Sequence, residues 1–450
     1  VTLGGTVDGG HALTANAQSG ALRIDGAVGG ATPLAALTAT GNTIAVGAVA
    51  TTGAQTYTAE GGLTLNGNLT ASAVTVTGPT TLGSDVTVST AAGNGNIAFS
   101  GSTSTLDGAH ALALAAGGGN VTLGGVVGGN TRLTSVDVSG YDLTLPDIFT
   151  VGDANQTYTA RDNITLTQSR TLDAPISFTA DADNDGNGAF ILLNGVSLTA
   201  TNNPLTIQAA DIQLQGNSTL ASGTGLMTLI ATDARNIMVE DSGTTPVAGQ
   251  MTITGTELSR MSSSGGLDLK TTGSGWIDVN GVTAADSQNI TGTLSLLAQG
   301  TGDVSFITAP STFNALTVNA TAGTTSIGVG LTTNNAPIDF ATAATVSGAA
   351  TIDSGNAGIT FGGTLAVDGA LTLTGNAVAF AGAVSGNQTL TLNLGSGSVS
   401  AASLGELQST LTGLTVNSTS SIALPALTIS GPQVYDTGVI TATGDLHGIG

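Results

Sequence analysis

The side chains best suited to chemistry lie in residues 181–188, which read Asp-Ala-Asp-Asn-Asp-Gly-Asn-Gly. Aspartates at alternate positions, with a glycine where the chain must turn sharply, match the first half of a calcium-binding loop. The candidate calcium ligands are Asp181, Asp183, Asp185 and Asn187. The twelfth position, where such loops carry a bidentate acid, is Leu192. The pattern leaves two interpretations open, a calcium site and a solvated acidic turn.

Clustered carboxylates would indicate a second kind of chemistry, the cleavage of polysaccharides. Such enzymes need paired acids and a basic side chain that stabilises the developing charge. The one compact mixed cluster is Glu240-Asp241 near Arg235, and it also fits an exposed ion pair. The only lysine is Lys270. We predict that the protein is not an enzyme and needs no cofactor apart from calcium.

The charge balance of the chain is strongly acidic. Its 450 residues include 29 acidic and 7 basic side chains, for a formal net charge of −22. Such a surface repels phosphate backbones and anionic headgroups, which argues against nucleic-acid binding and membrane adsorption. No run approaches the roughly 18 apolar residues of a spanning helix, so we expect no direct membrane insertion. Cysteine is absent, which favours an exported protein, extracellular or on a bacterial cell surface.

A short phrase recurs along the whole chain: an apolar residue, a small polar residue, an apolar residue, then Gly, Asn or Thr. Examples are Leu63-Thr64-Leu65, Ile359-Thr360-Phe361 and Leu371-Thr372-Leu373. Each phrase predicts a short strand that is apolar on one face and is followed by a turn. Phrases about every 10–12 residues are typical of a coiled, quasi-one-dimensional fold. We therefore predict an all-β fold, a parallel β-helix solenoid of roughly 20 coils forming an elongated rod.

Phenylalanines favour the last apolar position of these phrases, where we expect them to face inward and stack on one another. Six of the nine are placed so, namely Phe99, Phe178, Phe306, Phe340, Phe361 and Phe380. Helix is disfavoured nearly everywhere, because β-branched residues and glycine oppose it. The one stretch for which we predict a helical turn is residues 401–411, where Leu404, Leu407 and Leu411 recur at helical spacing.

The sequence also repeats with a longer period, of about a hundred residues, that contains several of the short phrases. Residues 26–34 return at residues 125–133, the phrase at residues 55–59 returns at residues 156–160, and an echo occurs at residues 433–435. The isolated His11 and His110 recur in the same way and are predicted to be turn residues inherited with the repeat.

The longer period sets the expected domain organisation. We predict one continuous β-helical region over residues 1–450, with super-repeats at about 1–98, 99–180 and 353–450 and a divergent middle at 181–352. The chain begins inside a strand phrase, so we also expect it to be a segment of a longer protein. Its terminal coils should be covered by further coils or by a neighbouring copy.

The phrases at residues 55–67 and 371–376 make the chain resemble the shaft of filamentous-haemagglutinin-type adhesins and related repetitive bacterial surface proteins. The resemblance extends over essentially the whole chain and lies in its composition. It implies a right-handed parallel β-helix, export to the cell surface and adhesive or structural duty.

From the repeats and this resemblance we expect a non-catalytic extracellular rod, either a cell-surface adhesin shaft or a structural fibre subunit. The alternative is a β-helical protein that binds or degrades polysaccharide. The expected partners are a host-cell, surface or polysaccharide receptor, and further copies stacked end to end into fibres.

Overall fold

The computed structural model describes residues 1–240, 249–401, 403–404, 411–424, 426–442 and 446–448. Strands make up 53% of the structure and helices 3%, and the strands stack into about 19 turns of a parallel β-solenoid. The strand pairs of the described residues run parallel, and strands inside a sheet bond to the turn before and the turn after. The prediction of an all-β solenoid of roughly 20 coils is confirmed.

The chain forms two compact units, Val1–Ala221 and Ser222–Gly450. The strands of the first unit are β1 (Thr2–Leu3), β2 (Ala12–Asn16), β3 (Ala21–Ile24), β4 (Ala36–Val46), β5 (Val49–Ala50), β6 (Ala54–Leu65), β7 (Leu69–Thr70), β8 (Ala73–Thr77), β9 (Thr80–Leu82), β10 (Val86–Ser89), β11 (Ile97–Ser100), β12 (Leu106–Asp107), β13 (Ala111–Ala115), β14 (Val121–Leu123), β15 (Ser135–Gly140), β16 (Leu143–Leu145), β17 (Gln156–Ala160), β18 (Ile164–Leu166), β19 (Arg170–Leu172), β20 (Ile176–Thr179), β21 (Ala189–Leu192), β22 (Ser197–Ala200), β23 (Leu205–Ala209) and β24 (Asp211–Leu214). A short 3-10 turn spans Val151–Asp153.

The chain passes from the first unit to the second within β25 (Thr219–Gly223). The strands of the second unit are β26 (Met227–Ala231), β27 (Asn236–Glu240), β28 (Gln250–Thr254), β29 (Met261–Ser263), β30 (Leu267–Lys270), β31 (Ile277–Asn280), β32 (Thr293–Ala298), β33 (Val304–Phe306), β34 (Ser311–Phe313), β35 (Ala315–Ala320), β36 (Thr325–Ile327), β37 (Leu331–Thr333), β38 (Ile338–Phe340), β39 (Ala344–Val346), β40 (Ala350–Asp353), β41 (Gly358–Phe361), β42 (Leu365–Val367), β43 (Leu371–Thr374), β44 (Ala377–Phe380), β45 (Val384–Gly386), β46 (Thr389–Asn393), β47 (Ser398–Ala401), β48 (Ser403–Leu404), β49 (Gly413–Asn417), β50 (Ile422–Leu424), β51 (Ala426–Ile429), β52 (Gln433–Asp436), β53 (Ile440–Ala442) and β54 (Leu446–Gly448). Two one-turn helices that the sequence did not predict, α1 (Gly255–Leu258) and α2 (Ala284–Ser287), begin with capping boxes. Most of the predicted helical turn at residues 401–411 lies outside the described residues.

The sheets of each unit are stacks of successive turns. In the first unit one sheet has the order β1-β3-β4-β6-β8-β11-β14-β16-β18-β21-β24, with β2, β9 and β12 beside it, and another runs from β5 and β7 through β10, β13, β15, β17 and β20 to β23. In the second unit the longest sheet has the order β28-β27-β31-β33-β36-β39-β42-β45-β48-β51-β54. It is accompanied by a stack from β26 to β47 and by a sheet from β34 to β52.

Alternate side chains are buried in most of the described strands, as the repeated phrase predicts. In β8, Val74 and Val76 are buried while Thr75 and Thr77 are exposed. The six phenylalanines placed inside by the sequence are all buried. Stacking is confirmed for Phe340, Phe361 and Phe380, whose rings lie 4.9 and 5.5 Å apart at interplanar angles of 11° and 12°.

A Gln-x-Tyr pair recurs with the longer-period phrase, and its tyrosine is buried at the first two occurrences. Tyr57 donates to the amide oxygen of Gln55 at 2.9 Å, and Tyr158 donates to Gln156 at 2.7 Å. The echo near the C-terminus makes the same bond, between Tyr435 and Gln433, at 2.7 Å. In the first two pairs the bond satisfies a buried tyrosine hydroxyl that would otherwise be costly to bury, whereas Gln433 is exposed.

The second Gln-x-Tyr pair lies beside a buried cation. Arg170 is 2% exposed, and its Nη2 donates to Gln156, to the Tyr158 hydroxyl at 3.2 Å and to the Ile148 carbonyl at 3.4 Å. Its Nε lies 3.9 Å from Asp147 Oδ1. The guanidinium also packs over the Tyr158 ring, 5.2 Å from the centroid. Leu69 occupies the equivalent inward position beside the first pair, one longer period earlier.

Candidate functional site

The aspartate loop, residues 181–188, connects β20 to β21. Asp181 is buried and takes a left-handed backbone conformation, with φ +53°. Gly188 has φ +127°, and a Cβ there would lie 2.7 Å from the Asp181 nitrogen and from the Asp162 carbonyl oxygen. Only glycine fits this close approach, so the shape of the loop is fixed by its sequence.

The loop brings together the three predicted carboxylates. Asp181, Asp183 and Asp185 each offer an oxygen, and these oxygens lie within 4.8 Å of one another. Asp181 Oδ1 also accepts the backbone N–H groups of Asp185 at 3.1 Å and of Gly186 at 3.2 Å. The spacing suits a small hard cation, while the amide bonds are those of a stable turn.

Arg161, outside the loop, and Asn187, within it, bond to two of the carboxylates. Arg161 places Nε and Nη2 each 3.1 Å from Asp183 Oδ2. Asn187, the fourth predicted ligand, donates its backbone N–H and its Nδ2 to Asp185 Oδ1 at 2.8 and 3.1 Å. Leu192 is a buried core residue of β21. The assignment of these residues to calcium stays a prediction, with the acidic turn as its alternative.

Further carboxylates surround the aspartate loop. Burial raises the pKa of Asp162, and repulsion from Asp142, Asp185 and Asp183 raises it further, against a hydrogen bond from Tyr141. The Asp162 charge in turn raises the pKa of the Tyr141 phenol. The surface around the loop is therefore strongly acidic.

We predict that calcium stabilises the chain through this loop. Millimolar Ca²⁺ should raise the thermal unfolding midpoint, because a ligand that binds the folded state alone stabilises it. Asp183→Ala should abolish the shift, and Asp137→Ala, which removes an exposed carboxylate on β15, should preserve it. A wild-type midpoint unchanged by calcium would leave the acidic turn as the correct interpretation.

A row of asparagine and aspartate side chains, the Asx ladder, precedes strands of successive turns beside the loop. It consists of Asn96, Asn120, Asp142 and Asn163, which directly precede β11, β14, β16 and β18. Each Oδ1 accepts a backbone N–H of the next turn, at 2.9, 3.3, 3.1 and 2.9 Å in chain order. This ladder was not predicted, although the sequence carries a visible signal for it: an Asx residue that recurs once per turn immediately before a strand phrase.

Substitutions of Asp142 measure how much the Asx ladder contributes to stability. Its Oδ1 accepts a second hydrogen bond, from the Nδ2 group of Asn163 at 3.1 Å. Asp142→Ala should lower the free energy of unfolding by about 1–3 kcal/mol, because partly buried donors lose their acceptor. Asp142→Asn retains an oxygen acceptor and removes a charge near Asp162, so it should stay within about 0.5 kcal/mol of wild type. Urea unfolding followed by circular dichroism compares the two, and equal losses would show that the charge rather than the ladder matters.

Burial is the largest cause of a raised pKa at the carboxyl groups of Asp147, Asp162 and Asp278. A carboxyl with a folded-state pKa above its unfolded value binds protons more readily when folded, so its contribution favours folding as the pH falls. Asp85 has a lowered pKa, chiefly because the Ala111 N–H donates a hydrogen bond to it. Its contribution to the stability of the fold is lost only when the pH falls below the ordinary pKa of a carboxyl group.

We therefore predict a higher thermal unfolding midpoint at pH 5 than at pH 7.5 in low salt. Relief of repulsion within a chain of net charge −22 acts in the same direction. Asp278→Asn should show a smaller rise, because that group no longer titrates. A midpoint that falls between pH 7.5 and pH 5 would contradict this expectation.

The other sequence candidates are not part of the loop. Glu240, at the end of β27, is only 6% exposed, so an exposed ion pair does not describe it, and Asp241 lies outside the described residues. His11 and His110 have equivalent backbone roles, since their carbonyls accept the N–H groups of Ala35 at 3.1 Å and Thr134 at 3.0 Å. This equivalence fits turn residues inherited with a repeat.

A cavity of about 590 Å³ lies beside α2 in the second unit. Its lining includes Gln288, Asn314, Asn334 and the threonines Thr312 and Thr332. Asn314 Nδ2 already donates to the Ile290 carbonyl at 2.8 Å. The cavity therefore presents amide and hydroxyl groups without an ionised side chain in its lining.

No helix among the described residues has the length and apolar character needed to span a membrane. Comparison with known proteins gives no match: no protein-family model, no curated protein and no solved structure is similar to the chain.

Proposed function

We propose that the chain is a non-catalytic extracellular rod, serving as a cell-surface adhesin shaft or a structural fibre subunit of the filamentous-haemagglutinin type. The observation that carries the proposal is the in-register parallel stacking that continues from turn to turn in each unit. A fold stabilised by nearest-neighbour turns can be extended to any length and presents the same outer faces along it.

The environments of the acidic groups support a structural role. Asp181 is engaged by two backbone amides and Asp183 by Arg161, while Glu240 is buried at a strand end. A catalytic carboxylate pair must instead flank a substrate in an accessible cleft. The acidic, cysteine-free composition supports an extracellular or bacterial cell-surface location.

We also propose end-to-end association into fibres. Among the described residues β2 pairs only with β4, and β52 only with β49, so one edge of each presents backbone groups for a further strand. Unpaired strand edges are templates for association. Exposed apolar side chains accompany the second edge, with Val434 52% and Ile440 40% exposed.

Electron microscopy combined with a cleavage assay tests the proposed function. We expect elongated particles whose length grows in steps with protein concentration, and no new reducing ends when the chain is incubated with polysaccharides. Compact particles of one size would contradict the rod and the fibre, and the release of reducing ends would show an enzyme.

The alternative function, polysaccharide binding, is favoured by the cavity beside α2. Its volume lies within the range of small-ligand sites, about 300–1,000 Å³, and its amide and hydroxyl groups can pair with sugar hydroxyls. Trp276, the single tryptophan, is 46% exposed elsewhere in the same unit. Affinity electrophoresis in gels containing polysaccharide tests this candidate, since Gln288→Ala should remove any retardation if the cavity is the site.

A further inference from the structure

One outer face of the first unit carries threonines in two parallel rows, the threonine array. The first row joins Thr14, Thr38, Thr56 and Thr75 on β2, β4, β6 and β8. The second row, two residues further along the strands, joins Thr40, Thr58 and Thr77. Asn16 begins the second row and Ser100 extends it onto β11.

The threonine array is regular in both directions. Its strands pair in register, and the one register shift between β4 and β6 lies at Gly41 and Thr43, beyond the second row. Neighbouring strands are about 4.8 Å apart, and side chains two residues apart on a strand are about 6.6 Å apart. The hydroxyl groups therefore form a two-dimensional grid rather than a single stripe.

Buried side chains of the core pack beneath the array and fix its backbone in place. The side chains between the two rows include Ala39, Tyr57 and Val76, each 0% exposed, and Tyr57 is fixed by its hydrogen bond to Gln55. Threonine itself has a restricted χ1 angle because it is branched at Cβ. The outward hydroxyl and methyl groups are thus ordered before any ligand arrives.

The absence of charged side chains in the two rows indicates the kind of ligand that the array can bind. Both rows consist of uncharged side chains in a protein of net charge −22, and Glu60 is the carboxylate that borders them on β6. An ionic partner has no counter-charge here. A hydroxyl both donates and accepts hydrogen bonds, so the matching ligand is a neutral lattice of groups that do the same.

We propose that the threonine array binds ice. Its two repeat distances lie close to the oxygen repeats on faces of hexagonal ice, and water held between ordered hydroxyl and methyl groups can join the crystal lattice. A crystalline polysaccharide fits less well, because its sugar rings call for exposed aromatic rings and the outer positions of the array hold none. This inference does not depend on the proposed function.

Ice-affinity partitioning and inhibition of ice recrystallisation test the proposal on the full chain. The wild type should enter slowly grown ice and keep annealed crystals small. Thr58→Tyr should need about tenfold more protein for the same inhibition, which corresponds to about 1.4 kcal/mol of lost binding. Thr75→Tyr, at an exposed position of the first row, should act in the same way and provides a second variant should the first fold poorly.

The chain offers a matched control. Thr159 occupies the position of Thr58 in the recurring phrase Gln-Thr-Tyr-Thr-Ala, but it lies on β17 between Ser139 and Thr179, in a sheet where the neighbouring row holds Asp137. Thr159→Tyr should retain full ice activity, with circular dichroism confirming the fold of all variants. Exclusion of the wild type from ice, equal effects of Thr58→Tyr and Thr159→Tyr, or sedimentation with crystalline cellulose without ice activity would each overturn the proposal.

Discussion

Replacing Arg170 with alanine is expected to lower the free energy of unfolding by about 3–5 kcal/mol. The guanidinium is buried, donates to Gln156 and Tyr158 and faces Asp147. Its removal leaves Asp147 without its cation, where burial already raises the pKa of that carboxyl. It also leaves space beneath the Tyr158 ring, which adds the cost of a cavity.

Removal of both charges provides the decisive comparison. The double variant Asp147→Asn with Arg170→Leu should unfold within about 1 kcal/mol of wild type or be more stable, because buried ion pairs are often replaced by apolar residues without loss. Leucine already occupies the equivalent position at Leu69, beside an intact Gln-x-Tyr pair.

An exposed arginine controls for the loss of positive charge. Arg161→Ala, which breaks the pair with Asp183 at the surface, should cost less than about 1 kcal/mol. Urea unfolding followed by circular dichroism measures all of these variants. An Arg170→Ala loss as small as that of Arg161→Ala would refute the assigned role of the buried cation.

Replacing Phe361 with alanine should cost a similar amount, about 3–5 kcal/mol. Phe361 is fully buried, and its ring stacks between those of Phe340 and Phe380 at 4.9 and 5.5 Å. Both the buried surface and the two ring pairs are lost. Each ring pair contributes about 0.5–1.5 kcal/mol beyond burial.

Phe99 is a control that distinguishes the contribution of ring stacking to stability from the contribution of burial. It is also 0% exposed, but its register neighbours are the aliphatic Val76 and Leu123. Leucine substitutions keep most of the volume, so Phe361→Leu should cost about 1–3 kcal/mol more than Phe99→Leu. Equal losses, measured by urea unfolding, would mean that the stacked phenylalanine rings contribute through burial alone.

The fold was predictable from the sequence because one local rule repeats. A phrase such as Val74-Thr75-Val76 fixes a strand, its buried face and its turn, and each turn supports the next. The inward Phe361 and Phe380 follow from the same rule. Arg170 could not be placed in the core in this way, because a cation in an inward position is read as a surface residue unless it is aligned with Leu69.

The candidate site was predictable only in part. The spacing of Asp181, Asp183 and Asp185 indicated a common centre, and the three carboxylates do lie together. The pairing of Asp183 with Arg161 depends on the alignment of two turns, which the local sequence does not specify. The Asx ladder and the threonine array depend on register for the same reason.

The parallel stacking of short strands has a mechanical consequence. Within each unit a strand bonds to the turn before and the turn after, so tension applied through the ends of a unit acts first on its outermost turn. That turn peels away before the next bears the load, as in a zipper, and the bonds are broken in sequence rather than together. A unit stretched at a constant rate therefore lengthens turn by turn at a nearly constant force instead of opening in one step.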